Sequence, residues 1–525
     1  MASLTLRSLG HINADPERVP GFTHMPRMGE TFMLKSTKRM WTFTAAPLAL
    51  ALAGCLGAGA PIPSASTPIT QAEAQQGSEY HPQLLAQFGG AMQGPLANYV
   101  EGVGQRMAAY SQVGNAREDF TISLLNSPVH NAFAVPGGYV YTTRQLVALM
   151  NDEAELAAVL GHEVGHVAAR HSARRQRTAQ RNQVIGGLGA ILSTVLLGDS
   201  QLGNLLTRGA LSAPQFITLA YSREQEEEAD QLGVEYLTRA GYDPQAMGSF
   251  LQRLAAQTRL DAQLQGRSDA GPPEWASSHP DPARRSIEAS QFAAGRPGSM
   301  RNRDAFLAAI DGMIYGDDPE QGIIKGNSFI HPILRLAFTA PQGFYMINST
   351  EAVSINGDGG QARMSAARYS GNLDTYVRQE FQALAGQNQT LAPQQLQRTT
   401  VNGLKAAYGT ARVNGSSGQV DVVVFAYEFS ASQAYHFTVV APAGRAGTFN
   451  PMFQSMRRVS ASEANAVVPL RIDVVTVQRG DTISSLSRRM AFSDNREARF
   501  RVLNGLGNND ALRAGEKVKL VVRRR

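Results

Sequence analysis

Two histidines and a glutamate form the pattern in this chain that could do chemistry. The sequence reads His-Glu-Val-Gly-His from His162 to His166. Residues four apart lie on one face of an α-helix, so both imidazoles can reach a single metal ion. Glu163 then stands beside the metal, where it can activate a water molecule. Since chance produces this pattern in about one chain of this length in a hundred, the motif predicts zinc hydrolysis, most often of peptide bonds, against an ordinary helix as the alternative.

The residues around the motif predict the helix that must carry it. Asn151 or Asp152 can cap its N-terminus, and the acidic first turn suits the helix dipole. The apolar run 156–160 favours a buried helix. Buried imidazoles and carboxylates need partners because unpaired burial is costly, and a metal supplies them. Gly161 and Gly165 each weaken a helix by about 1 kcal/mol relative to Ala, which indicates close approach of another backbone or of the metal.

A third protein ligand is expected because a catalytic zinc site usually has three protein ligands and a water. The best candidate lies in the acidic segment from Tyr221 to Asp230. On a helix, Glu226 and Asp230 share a face. Glu226 could therefore bind the metal while Asp230 accepts a hydrogen bond from a ligating imidazole and fixes its tautomer. A solvated acidic helix face is the alternative, and spacing alone does not decide between the two for Glu226.

Three segments resemble the zinc metallopeptidase family of CAAX prenyl proteases, HtpX and the periplasmic BepA-type proteases. They are residues 131–138, residues 151–171, and Ser222-Arg223-x-x-Glu226-x-x-Ala229-Asp230, which fits the family pattern at every fixed position. The resemblance covers about residues 80–315. It implies a mainly α-helical, zincin-type peptidase domain with a small strand hairpin and one Zn²⁺ per chain. The residues that it implies for the site are the ligands His162, His166 and Glu226, the base Glu163, and Asp230 behind a ligand.

Further residues receive roles by the same resemblance. His279 precedes a proline, so its backbone is extended or turned; a lone loop histidine is usually exposed, but in the family a similar His-Pro segment approaches the metal. The resemblance implies that His279 binds zinc in a resting state or stabilises the oxyanion. Arg285 is expected to be structural and His171, off the ligand face, not to be a ligand. The segment Asn131, Ala132 and Phe133 is a candidate edge strand for pairing with an extended substrate, with an internal strand as the alternative.

The sequence of the N-terminal region predicts that the protein is exported from the cytoplasm. Basic residues precede the apolar run 45–53, and small residues precede Cys55, the only cysteine. Leu52-Ala53-Gly54-Cys55 resembles the bacterial lipobox, which implies cleavage after Gly54 and anchoring to a bilayer through a lipid on Cys55. The alternative is an ordinary signal, or a short anchor, with an incidental cysteine. We therefore assign residues 1–32 to a disordered upstream extension, 33–54 to a lipoprotein signal peptide and 55–78 to a flexible tether.

The rest of the chain is long enough for about two to four domains in total. Its 43% hydrophobic and 18% charged content suits globular structure, and a net charge of +6, largely spread out, gives no indication of nucleic-acid binding. We expect the peptidase domain at 79–318 and an α+β domain of unknown role at 319–466. The latter shows strand-like runs at 329–339, 401–413, 420–429 and 435–440, and helical runs at 373–384 and 449–456.

Residues 467–525 have a more specific pattern. They read strand, Gly-Asp turn, helix, helix, Gly turn and strand, with the first turn at Gly480 and the second at Gly515. This resembles a LysM module, the small βααβ unit that binds glycans containing N-acetylglucosamine, over about residues 471–523. The implied partner is peptidoglycan. A LysM-like interaction module that binds no glycan is the alternative.

These observations predict a lipid-anchored periplasmic zinc metalloendopeptidase. By resemblance to lipoprotein sorting, Leu56 rather than an aspartate after the cysteine implies anchoring at the outer membrane. By resemblance, the protein serves quality control or assembly of envelope proteins, and its substrates are unfolded or misassembled envelope proteins. The competing hypothesis is an envelope scaffold, or a peptidoglycan-binding lipoprotein, in which proteolysis is secondary. A cell-wall hydrolase is disfavoured by the zinc motif.

Overall fold

The computed structural model describes residues 67–175, 177, 221–264, 279–385, 391–415 and 418–524. All of these belong to one compact unit, Ala60–Arg525. The predicted extension at 1–32, the signal peptide at 33–54 and Cys55 lie outside the described residues. Among the helices of the described part, none has both the length and the apolar character needed to cross a membrane.

The first half is mainly helical, with one small sheet. Its helices are α1 (Gln71–Gln87), α2 (Pro95–Tyr110), α3 (Ala116–Asp119), α4 (Arg144–Leu149), α5 (Glu153–Ala168), α6 (Arg223–Arg239), α7 (Ala246–Leu264), α8 (Pro282–Ala293) and α9 (Arg303–Ile310). Its strands are β1 (Thr121–Leu125), β2 (Ala132–Val135) and β3 (Tyr139–Thr143). The expected hairpin is β2 and β3, and β1 joins β3 in parallel, so β2 lies at the edge of this sheet.

The prediction of a flexible tether up to residue 78 is wrong from residue 71 onward. Thr70 and Glu73 form a capping box: the Thr70 hydroxyl accepts from the Glu73 amide, and the Glu73 carboxylate accepts from the Thr70 amide. This nucleates α1 within a stretch whose small and polar residues had indicated a linker. Glu73 also pairs with the buried Arg170 at 2.8 Å, which ties the start of α1 to the end of α5.

Helices α5 and α6 are packed closely enough to bring two parts of the sequence to one site. Every residue of α5 is buried, and Asp152 caps it by accepting from the Glu155 amide. A Cβ atom at Gly161 would lie 3.5 Å from the Cα atom of Gly233 in α6, and one at Gly165 would lie 3.2 Å from the Ala229 carbonyl oxygen. The two glycines of the motif helix therefore serve the close backbone approach that the sequence indicated.

The middle region is an α+β arrangement with two antiparallel sheets. The strands are β5 (Ile323–Lys325), β6 (Ser328–His331), β7 (Leu336–Thr339), β8 (Tyr345–Asn348), β9 (Ala352–Gly357), β10 (Gly360–Ala366), β11 (Leu396–Val401), β12 (Leu404–Gly415), β13 (Gly418–Ser430), β14 (Gln433–Pro442) and β15 (Arg457–Arg458). The strand order is β11-β12-β13-β14-β10-β9-β8 in the larger sheet and β15-β7-β6-β5 in the smaller. The helices are α10 (Leu373–Ala385), α11 (Asn450–Ser455) and α12 (Ala461–Asn465).

Two apolar layers hold the larger sheet. Buried residues of α10 such as Phe381 pack on one face of it, and Phe453 of α11 packs on the other. The strand predicted over 329–339 is instead the β6–β7 hairpin, because the chain reverses before Arg335, whose φ is +56°. Strands β8 to β10 had not been predicted.

The C-terminal segment has the predicted βααβ order, but it is not a separate body. It comprises β16 (Leu470–Thr476), α13 (Ile483–Ser487), α14 (Arg496–Asn504) and β17 (Lys517–Arg523). A short strand from the end of the peptidase region, β4 (Ile314–Tyr315), adds to β16. Apolar residues including Ile472 and Leu520 join the same core as α5. The predicted boundaries at 318 and 467 therefore separate residues that share one sheet and one core.

Candidate metal centre

Four buried side chains converge between α5, α6 and the start of α8. His162 and His166 come from α5, Glu226 from the first turn of α6, and His279 from the segment before α8, and each is at most 2% exposed. The Nε2 atoms of the two α5 histidines are 3.0 Å apart. The Nδ1 atom of His279 lies 3.3 Å from the Nε2 atom of His162 and 3.0 Å from Oε1 of Glu226.

This donor set fits zinc. The four residues each offer a ligand atom, all within 4.8 Å of one another. Donors arranged tetrahedrally around Zn²⁺, at about 2.0–2.1 Å from it, would be about 3.3 Å apart, close to the separations of 3.0–3.6 Å found here. One proton on one imidazole cannot satisfy all of these approaches, whereas one cation can. Imidazole nitrogens and a carboxylate oxygen are also ordinary zinc ligands.

Asp230 orients the first histidine. Its Oδ1 atom lies 2.8 Å from Nδ1 of His162, the ring nitrogen opposite the one that faces the cluster. The same carboxylate accepts two hydrogen bonds from Arg285, at 2.8 and 2.6 Å. Burial raises the pKa of Asp230, but the charge and hydrogen bonds of Arg285 outweigh it and hold the pKa below its ordinary value. An ionised Asp230 then keeps the proton of His162 on Nδ1 and leaves Nε2 free for a metal.

Arg285 has a larger part in the site than the sequence indicated. It is 1% exposed, and its Nη1 atom lies 2.5 Å from Oε2 of Glu226, so one guanidinium bridges the candidate ligand and Asp230. Glu163 is a third buried carboxylate of this group, and Arg285 contacts the other two. Since buried charge is costly unless it is paired, a divalent cation between neutral imidazoles would bring the group to net zero charge.

Glu163 is placed to accept a proton. It is fully buried, and its carboxylate oxygens have no hydrogen-bond donor among the described residues. The Nε2 atom of His279 lies 3.5 Å from the Oε1 atom of Glu163. Burial raises the pKa of Glu163, with His279 and His162 opposing this. Burial would lower the pKa of His279, but the carboxylates of Glu226 and Glu163 raise it overall.

The candidate substrate strand lies at the sheet edge, but not all of its residues face the site. Phe133 stacks on Tyr141 with ring centroids 4.8 Å apart and packs beside Phe88, so it is a core residue. Asn131 exchanges hydrogen bonds with Thr143 of β3. The cavity beside the metal cluster is lined instead by the next residues of the strand and its turn, 134–137, together with His166.

Two more residues contact His166 that the sequence had not assigned to the site. His171, fully buried, places its Nδ1 atom 2.7 Å from Nδ1 of His166. Tyr221 stacks on the His166 ring with centroids 3.9 Å apart and planes at 15°. His171 meets the nitrogen of His166 opposite the cluster, so it lies outside the group of candidate ligands. The helical spacing that excluded it as a ligand did not reveal this contact, because α5 ends at Ala168 and the chain turns back at Arg170.

Comparison with known proteins finds a match for the region that carries the metal cluster and another for the C-terminal βααβ segment. Residues 96–292 match Peptidase family M48, and residues 475–521 match the LysM domain. The beta-barrel assembly-enhancing protease of Escherichia coli K12 is 30% identical over 249 residues, 47% of this chain and 49% of that protein. The protein of the same name from Yersinia pestis is 36% identical over 201 residues, 38% of this chain and 39% of that protein.

A mitochondrial relative matches as well. The mitochondrial metalloendopeptidase OMA1 of Schizosaccharomyces pombe is 31% identical over 209 residues, 40% of this chain and 55% of that protein. This chain thus spans about half the length, or less, of the curated relatives that it matches. The match to Peptidase family M48 falls on the part of the chain that carries the metal cluster.

Proposed function

We propose that the protein is a zinc metalloendopeptidase, on the premise that residues 96–292 match Peptidase family M48 and residues 475–521 match the LysM domain. The observation that carries the proposal is the buried group of His162, His166 and Glu226, with Glu163 beside it. A helix that buries so many ionisable groups for packing alone would be unstable. The group is therefore best explained by a metal and by the reaction that such a metal supports.

We assign the roles as follows. His162, His166 and Glu226 would hold one Zn²⁺, which when bound polarises the scissile carbonyl and lowers the pKa of a water molecule. Glu163 takes the proton of the attacking water and delivers it to the leaving amine. Its carboxylate oxygens suit this exchange, because they are buried and accept no hydrogen bond from the described residues and so can take up the proton.

His279 shares the space that a substrate carbonyl needs. Its ring lies among the same donor atoms, between Glu226 and Glu163. We propose that it is a resting-state ligand that gives way when substrate enters, and that it then stabilises the oxyanion. Replacing His279 by Ala should raise the accessibility of the metal to a small chelator such as phenanthroline while lowering turnover; unchanged chelation kinetics would contradict the resting-state role.

The Glu163→Gln variant tests the proposed reaction. Glutamine fills the same volume but accepts no proton, so cleavage of casein should fall by about 10²- to 10⁴-fold while the zinc content and the melting temperature stay near those of the wild type. Glu224→Gln, on the exposed first turn of α6, is the matched control and should retain full activity. Undiminished cleavage by Glu163→Gln would refute the mechanism.

We further propose that the substrates are unfolded or misassembled outer-membrane proteins in the periplasm. The names of the bacterial relatives support this choice. Membrane anchoring through a lipid on Cys55 is tested by metabolic labelling with a palmitate analogue, which should mark the wild type and not Cys55→Ser. Comparing degradation of a stalled outer-membrane protein by wild type and Glu163→Gln separates this function from a scaffold, since a scaffold would tolerate the substitution.

Peptidoglycan is the proposed partner of the LysM module. Its first turn, including Gln478 and Arg479, and its second, including Arg513, are exposed, so the ends of the βααβ unit are open to a ligand although its core is joined to the peptidase. Purified sacculi should retain the full-length protein, and N-acetylglucosamine oligomers should release it. A protein that stays in the supernatant would remove the cell-wall proposal and leave the peptidase proposal untouched.

A further inference from the structure

We propose that His171 is a positioning residue of the metal site: with Glu228 behind it, it fixes His166 in the tautomer and orientation that present Nε2 to zinc. The proposal rests on the proposed zinc site. It concerns a residue that follows the end of α5 and a carboxylate on the acidic face of α6, where sequence pattern alone indicates only solvated side chains.

The hydrogen-bond chain has one consistent assignment of protons. A neutral imidazole carries one proton, on Nδ1 or on Nε2. If His166 binds a metal through Nε2, its proton is on Nδ1 and is donated to Nδ1 of His171, 2.7 Å away. The proton of His171 must then be on Nε2, which lies 3.2 Å from Oε2 of Glu228. The carboxylate accepts it, and every contact in the chain is satisfied.

The opposite assignment fails at both ends. A proton on Nδ1 of His171 would require an accepting Nδ1 on His166 and place the proton of His166 on Nε2, toward the metal. It would also turn the lone pair of the His171 Nε2 atom toward the Glu228 carboxylate. Glu228 therefore selects the tautomer of His171, and His171 selects that of His166. Metal-binding histidines commonly have such an acceptor behind them; here it is a second imidazole.

The backbone holds His171 in place from two sides. Arg170 adopts a φ of +54° directly after α5, and its guanidinium donates to the carbonyl oxygens of Thr67 and Pro68. From α6, the Gln225 side chain donates to the His171 carbonyl oxygen at 3.2 Å. The sharp turn after the helix is therefore clamped, and it returns His171 toward His166, five residues earlier.

His166 is thus fixed at its edge by His171 and across its face by Tyr221. His162 is held differently, by the fully buried pair of Asp230 and Arg285. The Glu228 side chain is 44% exposed and also pairs with Arg174 at 2.7 Å. The chain behind His166 therefore ends at the surface, which makes Glu228 accessible to substitution without opening the core.

The test measures zinc affinity by competition with a chromogenic chelator, together with the visible spectrum of the Co²⁺-substituted protein. His171→Leu removes the acceptor, and its zinc affinity should fall by about 10- to 100-fold, with a changed cobalt spectrum. In His171→Asn, the side-chain oxygen can take the place of Nδ1, so the affinity should return to within about threefold of the wild type. This rescue would not be expected if His171 only filled space.

Glu228→Ala and Glu227→Ala form the second comparison. Glu227 is exposed and neighbours Glu228 on α6, so only Glu228→Ala should weaken zinc binding, by about three- to tenfold. Equal affinities for wild type, His171→Leu and Glu228→Ala, with unchanged cobalt spectra, would overturn the proposal. If His171→Leu does not fold, the comparison of Glu228→Ala with Glu227→Ala decides alone. A wild type that binds no zinc would instead refute the proposed function itself.

Discussion

Replacing Arg285 by Met should destabilise the protein far more than the same change one residue earlier. The Arg285 guanidinium contacts both Glu226 and Asp230, and all three side chains are buried. Methionine keeps most of the apolar stem and removes the charge and its hydrogen bonds. Because removing one partner leaves a buried charge without compensation, such changes cost about 3–5 kcal/mol.

Arg284 provides the matched control. It pairs with Asp281 and Glu288 at the surface, where its own side chain is 36% exposed, and exposed pairs contribute about 0–1 kcal/mol. The two variants should therefore differ by about 3 kcal/mol or more. At about 1–2 °C per kcal/mol for a cooperative unit of more than about 300 residues, Arg285→Met should melt at least ~3 °C below Arg284→Met.

Zinc should reduce this difference without removing it. A bound dication still compensates Glu226 in the variant, whereas Asp230 has lost its cation in either state. Melting should be followed by calorimetry in excess EDTA and in excess Zn²⁺, with the larger gap between the variants expected in EDTA. Melting temperatures within 2 °C of each other in both conditions would refute the account of Arg285 as the charge that holds the two carboxylates.

Three further results are expected. EDTA should lower the melting temperature, and Zn²⁺, but not Mg²⁺, should restore it. Zinc at 100 times its Kd adds about 2.7 kcal/mol to the free energy of unfolding. Lys519→Met should cost about 1–3 kcal/mol in urea unfolding because the carbonyls of Ala148 and Met150 lose a donor, whereas Lys517→Met, at the surface, should cost little. Burial raises the pKa of Asp317 to about 6. The folded protein then keeps a proton that the unfolded chain loses, so stability falls as pH rises from about 4 to 6, by at most about 3 kcal/mol, and Asp317→Asn should abolish this fall.

The parts of the site that follow from local rules were predictable from sequence. The spacing of His162 and His166 is a relation within one helix, and the acidic residues before it cap that helix as expected. Glu226 needed the family resemblance as well, because the same acidic pattern fits a solvated helix face. What brings it to the histidines is the packing of Gly161 and Gly165 against α6, a tertiary contact to which the glycines pointed without naming the partner.

The contacts of His171 and Arg285 could not be predicted in the same way. Each depends on tertiary packing that brings a side chain to a residue of another element, and His171 depends also on the turn after α5. For His171, that turn is the positive φ at Arg170, which is held by carbonyl groups about 100 residues earlier in the chain. The strands β8 to β10 were missed for a related reason: β8 is only four residues long, serine and glycine interrupt β9 and β10, and all three gain their order from the sheet that they extend.

Lys519 joins the C-terminal segment to the rest of the structure in a way that the sequence did not predict. In β17, Lys517 and Lys519 alternate with buried Val518 and Leu520, a pattern that predicts a solvent-facing side. The structure instead buries Lys519, because that side packs on the peptidase region at the C-terminus of α4. Carbonyl groups there lack partners within the helix and attract a cation, and the Lys519 ammonium donates to two of them.

This interface adjoins the start of the zinc helix. The Arg303 side chain donates to the carbonyl oxygens of Asn151, directly before the α5 cap, and of Lys517 in β17. The C-terminal βααβ unit and the start of α5 are therefore joined through direct hydrogen bonds. If the module holds a glycan strand as proposed, the orientation of the peptidase relative to that strand is set by this interface. Weakening this interface with Lys519→Met should then lower both the stability of the peptidase region and the binding of glycan by the module.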